Sequence, residues 1–122
     1  MANKQKKILV AEDEKPLAKV LQLKLEKEGF VVTVVNDGAA AIAALDGDFN
    51  AIMLDLVMPK DDGFDVLKAA KEKKITTPII VLTNLSQETD MALAKSLGAV
   101  DCLIKSETPL DEVVVKVKNI VK

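Results

Sequence analysis

The chain has no arginine, tryptophan or tyrosine, and its 17 basic residues are all lysine. Without the planar guanidinium fork and with a net charge of −2, it lacks the basic footprint that reads bases or phosphates. Aromatics are confined to Phe30, Phe49 and Phe64, so no platform for stacking bases is available. Nucleic acid is therefore not the expected partner. The lone cysteine, Cys102, cannot form an internal disulfide, which fits a reducing compartment. Apolar runs are short. The basic start at Lys4, Lys6 and Lys7 leads only to Ile8–Ala11 before Glu12 and Asp13 interrupt, too short for an export signal. No run approaches the length of a membrane span. These absences predict a cytoplasmic chain with no membrane partner.

What is present is globular. At 122 residues the chain has room for one domain with a sizeable core, and its apolar share of 49% and charged share of 30% carry no signature of disorder. Five short apolar runs recur, each followed by a helical pattern. Strand one is expected over Lys7–Ala11, followed by a helix with Pro16 in its opening turn and Leu17, Val20, Leu21 and Leu25 at 3–4 spacing, closed by Gly29. Phe30–Val35 reads as strand two, with Asp37 as N-cap of an Ala-rich helix running through Ile42 and Leu45 to Gly47.

Strand three is the stretch Ala51–Leu54, which runs straight into Asp55 and ends before Pro59; Asp62-Gly63 opens its helix, with Phe64, Leu67 and Ala70 on one face. Pro78–Leu82 is strand four, ending at Thr83, and Ser86 is the expected cap of the helix that Gly98 closes. Ala99–Ile104 is strand five, ending at Lys105. The last helix is expected from Thr108-Pro109, with Pro109 at its first position, although Val113–Lys118 alternates locally like a strand. Strands alternating with helices predict an α/β fold: a doubly wound five-stranded parallel sheet with five helices.

In a parallel sheet the strand ends share one edge, where open α/β folds place their chemistry. Glu12 and Asp13, Asp55, Thr83 and Lys105 are all delivered there. Singly, each has an ordinary reading: a helix cap, a strand-end hydroxyl, a surface lysine. Asp55 does not, because its apolar flanks leave it little water and a buried charge needs a partner. Carboxylates this close raise one another's pKa unless a cation intervenes, and an oxygen-only set suits Mg2+. Asp55 is then a candidate nucleophile toward phosphorus, with Lys105 and the Thr83 hydroxyl placed to hold phosphoryl oxygens.

The motifs I-L-V-A-E-D-E, M-L-D-L-V-M-P-K-D-D-G-F, I-I-V-L-T-N and D-C-L-I-K, in register from about Lys7 to Val121, resemble a two-component response-regulator receiver domain of the stand-alone type. The resemblance implies a flavodoxin-like fold with sheet order 2-1-3-4-5 and leaves no residues for an output domain. It implies that Asp55 accepts a phosphoryl group from a sensor histidine kinase or phosphotransfer protein and that the product is read by a downstream protein target. It further implies Mg2+ on Asp13, Asp55 and the Val57 carbonyl, with Glu12 acting largely through water, and no independent substrate turnover.

Three departures stand out. Cys102, with Leu103 beside it, occupies the place of the family's aromatic switch residue; Ser106 replaces the usual proline; Asn84 replaces a small residue after the threonine. A flavodoxin-like nucleotide or flavin binder would need a phosphate-cradling loop where Glu12-Asp13-Glu14 stands. An aspartyl-nucleophile phosphatase would carry a second acid where Val57 stands. The missing aromatic also leaves open a constitutive receiver-like interaction module.

Overall fold

A computed structural model describes residues 5–85 and 87–121. Five strands, β1 (Lys7–Ala11), β2 (Val31–Val35), β3 (Ala51–Leu54), β4 (Ile79–Thr83) and β5 (Asp101–Ile104), alternate with helices α1 (Lys15–Lys27), α2 (Gly38–Ala44), α3 (Gly63–Glu72), α4 (Glu88–Ser96) and α5 (Leu110–Val121). All pairs are parallel, in the order β2-β1-β3-β4-β5. The doubly wound sheet and its order are as expected. Among the described residues, no helix is long and apolar enough to cross a membrane.

The period of two in a strand sends alternate side chains to opposite faces. Leu9, Ile52, Leu54 and Val81 accordingly pack with Ala41, Val66, Leu67 and Ala94 from α2, α3 and α4. Ile8, Val10, Met53 and Ile80 pack on the other face with Leu21, Leu25, Val113 and Val117 from α1 and α5. Central strands β3 and β4 are buried throughout, which is why they read as unbroken apolar runs, while the edge strand β2 is half exposed. Cys102 joins the α4 side and Leu103 the α5 side, so the two residues at the missing-aromatic position face opposite layers.

Strands β2, β4 and β5 begin later than expected, β4 by the single residue Pro78, and β2 and β5 for a shared reason. After α1, Gly29 takes a left-handed φ of +95°, its N–H bonds the Glu26 carbonyl, and the Phe30 N–H bonds the Leu25 carbonyl. After α4, Gly98 (φ +111°) and Ala99 make the same closure on Lys95 and Ala94. This glycine-led motif consumes the residue after the glycine, so Phe30 and Ala99 finish helices instead of opening strands. Pro109 also shifts: its carbonyl accepts from Val113, the first bond of α5, so it precedes the helix instead of occupying the first position. A 3₁₀ turn over Lys105–Glu107 lies before it. Gln87 takes the N-cap place of α4 without a side-chain cap bond, and Ser86 lies outside the described residues.

The loop from β3 to α3 is shaped by a neighbour. Lys60 and Asp61 both adopt positive φ, +52° and +74°. Gly38, at the start of α2, lies so close that an added Cβ would sit 1.6 Å from the Asp61 carbonyl oxygen; its N–H donates to the Pro59 carbonyl at 3.1 Å. Two non-glycine residues in the left-handed region are held there by this backbone contact. Gly38→Ala should therefore displace the loop and cost about 3 kcal/mol or more, beyond the usual overpacking range, in urea or thermal unfolding. Wild-type stability in that variant would show that the contact does not hold the loop.

Candidate functional site

Register brings the strand ends level. Ala11 pairs with Leu54, Leu54 with Val81 and Thr83 with Ile104, so Glu12, Asp55, Thr83 and Lys105 emerge at one edge. Backbone bonds extend the ladder past the strands, with Glu12 N–H to the Val35 carbonyl and Asp55 N–H to the Ala11 carbonyl, both at 3.0 Å. Gly63 lets α3 dock on this edge: a Cβ there would lie 2.4 Å from the Asp55 carbonyl oxygen.

Lys105 is the hub. Its Nζ lies 2.8 Å from Glu12 Oε1 and 2.8 Å from Asp55 Oδ2, and it also donates to Glu14 Oε2. The side chains of Lys105, Glu12 and Asp55 are 9%, 3% and 4% exposed. The Val57 N–H donates to Asp55 Oδ1 at 3.1 Å, so both carboxylate oxygens of Asp55 are held. Glu12 accepts the Glu14 N–H at Oε2 (3.0 Å), and its carbonyl accepts from Asn36 Nδ2 (2.9 Å), which fixes the β1–α1 loop. Neither Glu12 nor Asp13 caps α1; that place belongs to Glu14, whose side chain makes no cap bond. Among the described residues, no buried side-chain polar atom lacks a partner.

The crowded carboxylates are thus relieved by a cation from the chain itself. Burial is the largest influence on Glu12 and pushes it up from 4.5 to about 7, against hydrogen bonds from Lys105 and the Glu14 N–H; repulsion from Asp55 is a lesser cause. Burial alone would lower Lys105, but its hydrogen bonds to Asp55, Glu12 and Glu14 prevail and raise it above the usual lysine range. One carboxylate with a raised pKa was expected from charge repulsion; desolvation is the main cause.

A pH dependence follows. Below 4.5 Glu12 is protonated in both folded and unfolded chains, so folding carries no ionisation penalty there; the penalty builds as pH rises through about 7. Glu12→Gln keeps the hydrogen-bonding shape and removes that penalty. In metal-free buffer it should be more stable than wild type at pH 8, by up to about 3 kcal/mol, with the gain fading toward acid pH. Denaturant midpoints across pH check this; a variant less stable than wild type at pH 8 contradicts it.

One oxygen each of Glu12, Asp13 and Asp55 lies within 4.8 Å of the others, an oxygen-only set that fits a hard divalent cation. A cavity of about 210 Å³ opens beside it, lined by Asp13, Glu14, Asp55, Val57, Asn84 and Lys105. A larger groove, about 270 Å³ between α1 and α5, is lined by charges that already pair, Lys24 with Asp111 and Glu28 with Lys118. Among the described residues that line it, Lys27 alone of the charged groups has no ion pair, and a single lysine is not a convergent set.

The expected residues Glu12, Asp13, Asp55, Val57 and Lys105 therefore converge. Thr83 reaches the same edge but is fully buried; its hydroxyl oxygen accepts the Leu85 N–H at 3.3 Å, and it is not part of the cavity lining. Glu14 and Asn36 are additions, and Asn84, singled out in the sequence for its size, lines the cavity. Glu14 stood in the acidic run, but nothing in the run said which acid would reach Lys105.

The comparisons agree with this geometry. Residues 8–118 match the response regulator receiver domain family, and the chain belongs to it. It is 35% identical over 113 residues to the response regulator SaeR of Staphylococcus aureus, covering 93% of this chain and 49% of that protein. The chain thus spans about half the length of the curated relatives it matches. Among solved structures, the receiver domain of the Francisella response regulator 1452 superposes with a TM-score of 0.89 at 30% identity, covering 96% of this chain and 97% of that one. The phosphorylated cyanobacterial phytochrome response regulator RcpA superposes with a TM-score of 0.81 at 29% identity, covering 96% and 91%. The family is a signalling class of two-component systems, not one defined by substrate turnover.

Proposed function

We propose that Asp55 accepts a phosphoryl group from a partner histidine kinase or phosphotransfer protein and that the phosphorylated chain acts through contacts with a downstream protein. The observation that carries this reading is the buried Asp55 carboxylate, hydrogen-bonded to Lys105 and flanked by Glu12 and Asp13. A carboxylate oxygen of Asp55 forms the new bond to phosphorus as the donor's bond to phosphorus breaks, and the electron pair leaves with the donor.

Lys105 supplies a point charge to one phosphoryl oxygen. The Thr83 hydroxyl, which accepts from Leu85, retains its own hydrogen to donate to another once the residue moves outward. Asp13, Asp55 and the Val57 carbonyl would hold Mg2+, with the Glu12 carboxylate beside them. When bound, Mg2+ neutralises the charge gathered on carboxylate and phosphoryl oxygens.

The test is incubation with acetyl phosphate and Mg2+. The protein should gain one phosphoryl group that hydroxylamine removes, as an acyl phosphate requires, and a chelator should prevent the gain. Labelling indifferent to the chelator, or resistant to hydroxylamine, sinks the proposal.

A further inference from the structure

We propose that Glu14 determines which phosphodonors this site accepts: by holding an N–H of Lys105 at the mouth of the cavity, it disfavours small donors of high negative charge. The proposal rests on Asp55 being the phosphoacceptor.

A lysine ammonium has three donors and no more. Here Asp55 and Glu14 each accept one of them, and the Glu12 carboxylate pairs with the ammonium at 2.8 Å. A phosphoryl oxygen that approaches Lys105 therefore competes with three carboxylates. Glu12 and Asp55 are 3% and 4% exposed, so water cannot take the place of the lysine beside either, and stripping Asp55 of its cation leaves a buried, unpaired charge. Glu14 is 55% exposed, so water takes over its carboxylate at little cost. Glu14 is therefore the residue that yields.

Its position is unusual for a helix start. It stands at the N-cap of α1 yet makes no side-chain cap bond, and its carboxylate turns to Lys105 and lines the cavity with Asp13 and Asp55. An entering donor passes a full negative charge within several ångströms. In a water-like dielectric that disfavours each unit of donor charge by about threefold.

Two small donors separate this effect from a structural one. At neutral pH acetyl phosphate is a dianion, whereas phosphoramidate carries one net negative charge. In both transfers an Asp55 oxygen bonds to phosphorus. Acetate leaves with the electron pair of the P–O bond, and from phosphoramidate the protonated nitrogen leaves as ammonia. Glu14→Gln should raise the acetyl phosphate rate about tenfold and the phosphoramidate rate about threefold, so their ratio rises about threefold. The change in ratio should shrink at high salt, because the site is exposed. Glu14→Asp keeps the charge and should keep the wild-type ratio.

Without any transfer, the beryllium fluoride concentration that half-saturates the Mg2+-loaded protein, read from its melting temperature, should fall about threefold in Glu14→Gln. Equal rate changes for the two donors, or an unchanged beryllium fluoride midpoint, overturn the role of Glu14 and leave the Asp55 assignment standing. A wild-type protein that takes phosphoryl from neither donor overturns the assignment itself.

Discussion

Lys105→Met is expected to destabilise the metal-free protein by about 3 kcal/mol at neutral pH, near the lower end of the cost of breaking a buried ion pair. The methionine fills much of the lysine stem's space, so the loss is electrostatic. It strands Glu12 and Asp55, both almost fully buried, beside each other without a cation. Protonation of Glu12, already raised to about 7, limits the damage below that pH, so the deficit should grow as pH rises. Mg2+ should then stabilise Lys105→Met more than wild type, because the lysine no longer contends for the same oxygens. Tenfold excess over the dissociation constant is worth about 1.4 kcal/mol by mass action in either protein, so the comparison belongs at equal metal concentration. A Lys105→Met protein that unfolds with wild type in metal-free buffer at pH 8 contradicts the hub role.

Asp55→Asn is expected to remove phosphoryl gain altogether, with every donor. The amide keeps the size of the carboxylate, and its oxygen can still accept from the Val57 N–H or from Lys105. The fold should survive, since Lys105 retains Glu12 and Glu14. What is lost is the anionic oxygen that attacks phosphorus. Melting temperature, measured alongside labelling, separates that chemical loss from unfolding. Undiminished labelling of a folded Asp55→Asn protein excludes Asp55 as the acceptor.

The parts of this molecule that depend on local pattern were legible in the sequence. Ala51–Leu54 is an unbroken apolar run because both faces of β3 are covered, and the same fact isolates Asp55 at its end. Asp37 and Asp62 were recognisable helix starts, and each accepts the expected backbone bond, the latter in a reciprocal box with Asp65. That Leu103 would face away from Cys102 followed from the two-residue period. The strand order came from the resemblance, since alternation alone does not fix which strand is central.

Features set by distant neighbours were not legible. The left-handed pair Lys60 and Asp61 carries no glycine to announce it, because its cause is Gly38 at the start of α2. The end of α3 is equally silent: Lys74, at φ +58°, does what Gly29 and Gly98 do elsewhere. Glu12, Asp13 and Glu14 are indistinguishable as letters. Only the turn into α1 and the 3₁₀ turn at Lys105 decide that Glu12 is buried, Asp13 faces the cavity and Glu14 reaches across to the lysine. Thr83 was placed at the correct edge, but its burial and the bond its hydroxyl oxygen accepts from Leu85 depend on loop geometry.

The central claim is that one particular carboxylate takes the phosphoryl group. Borohydride reduces an aspartyl phosphate to homoserine, which marks the acceptor permanently for peptide mapping by mass spectrometry. After brief treatment with acetyl phosphate and Mg2+, homoserine should appear at position 55 and at no other acidic position. Homoserine at Asp13, reduction at Glu12, or a phosphoryl group that survives borohydride on a hydroxyl residue would contradict the account.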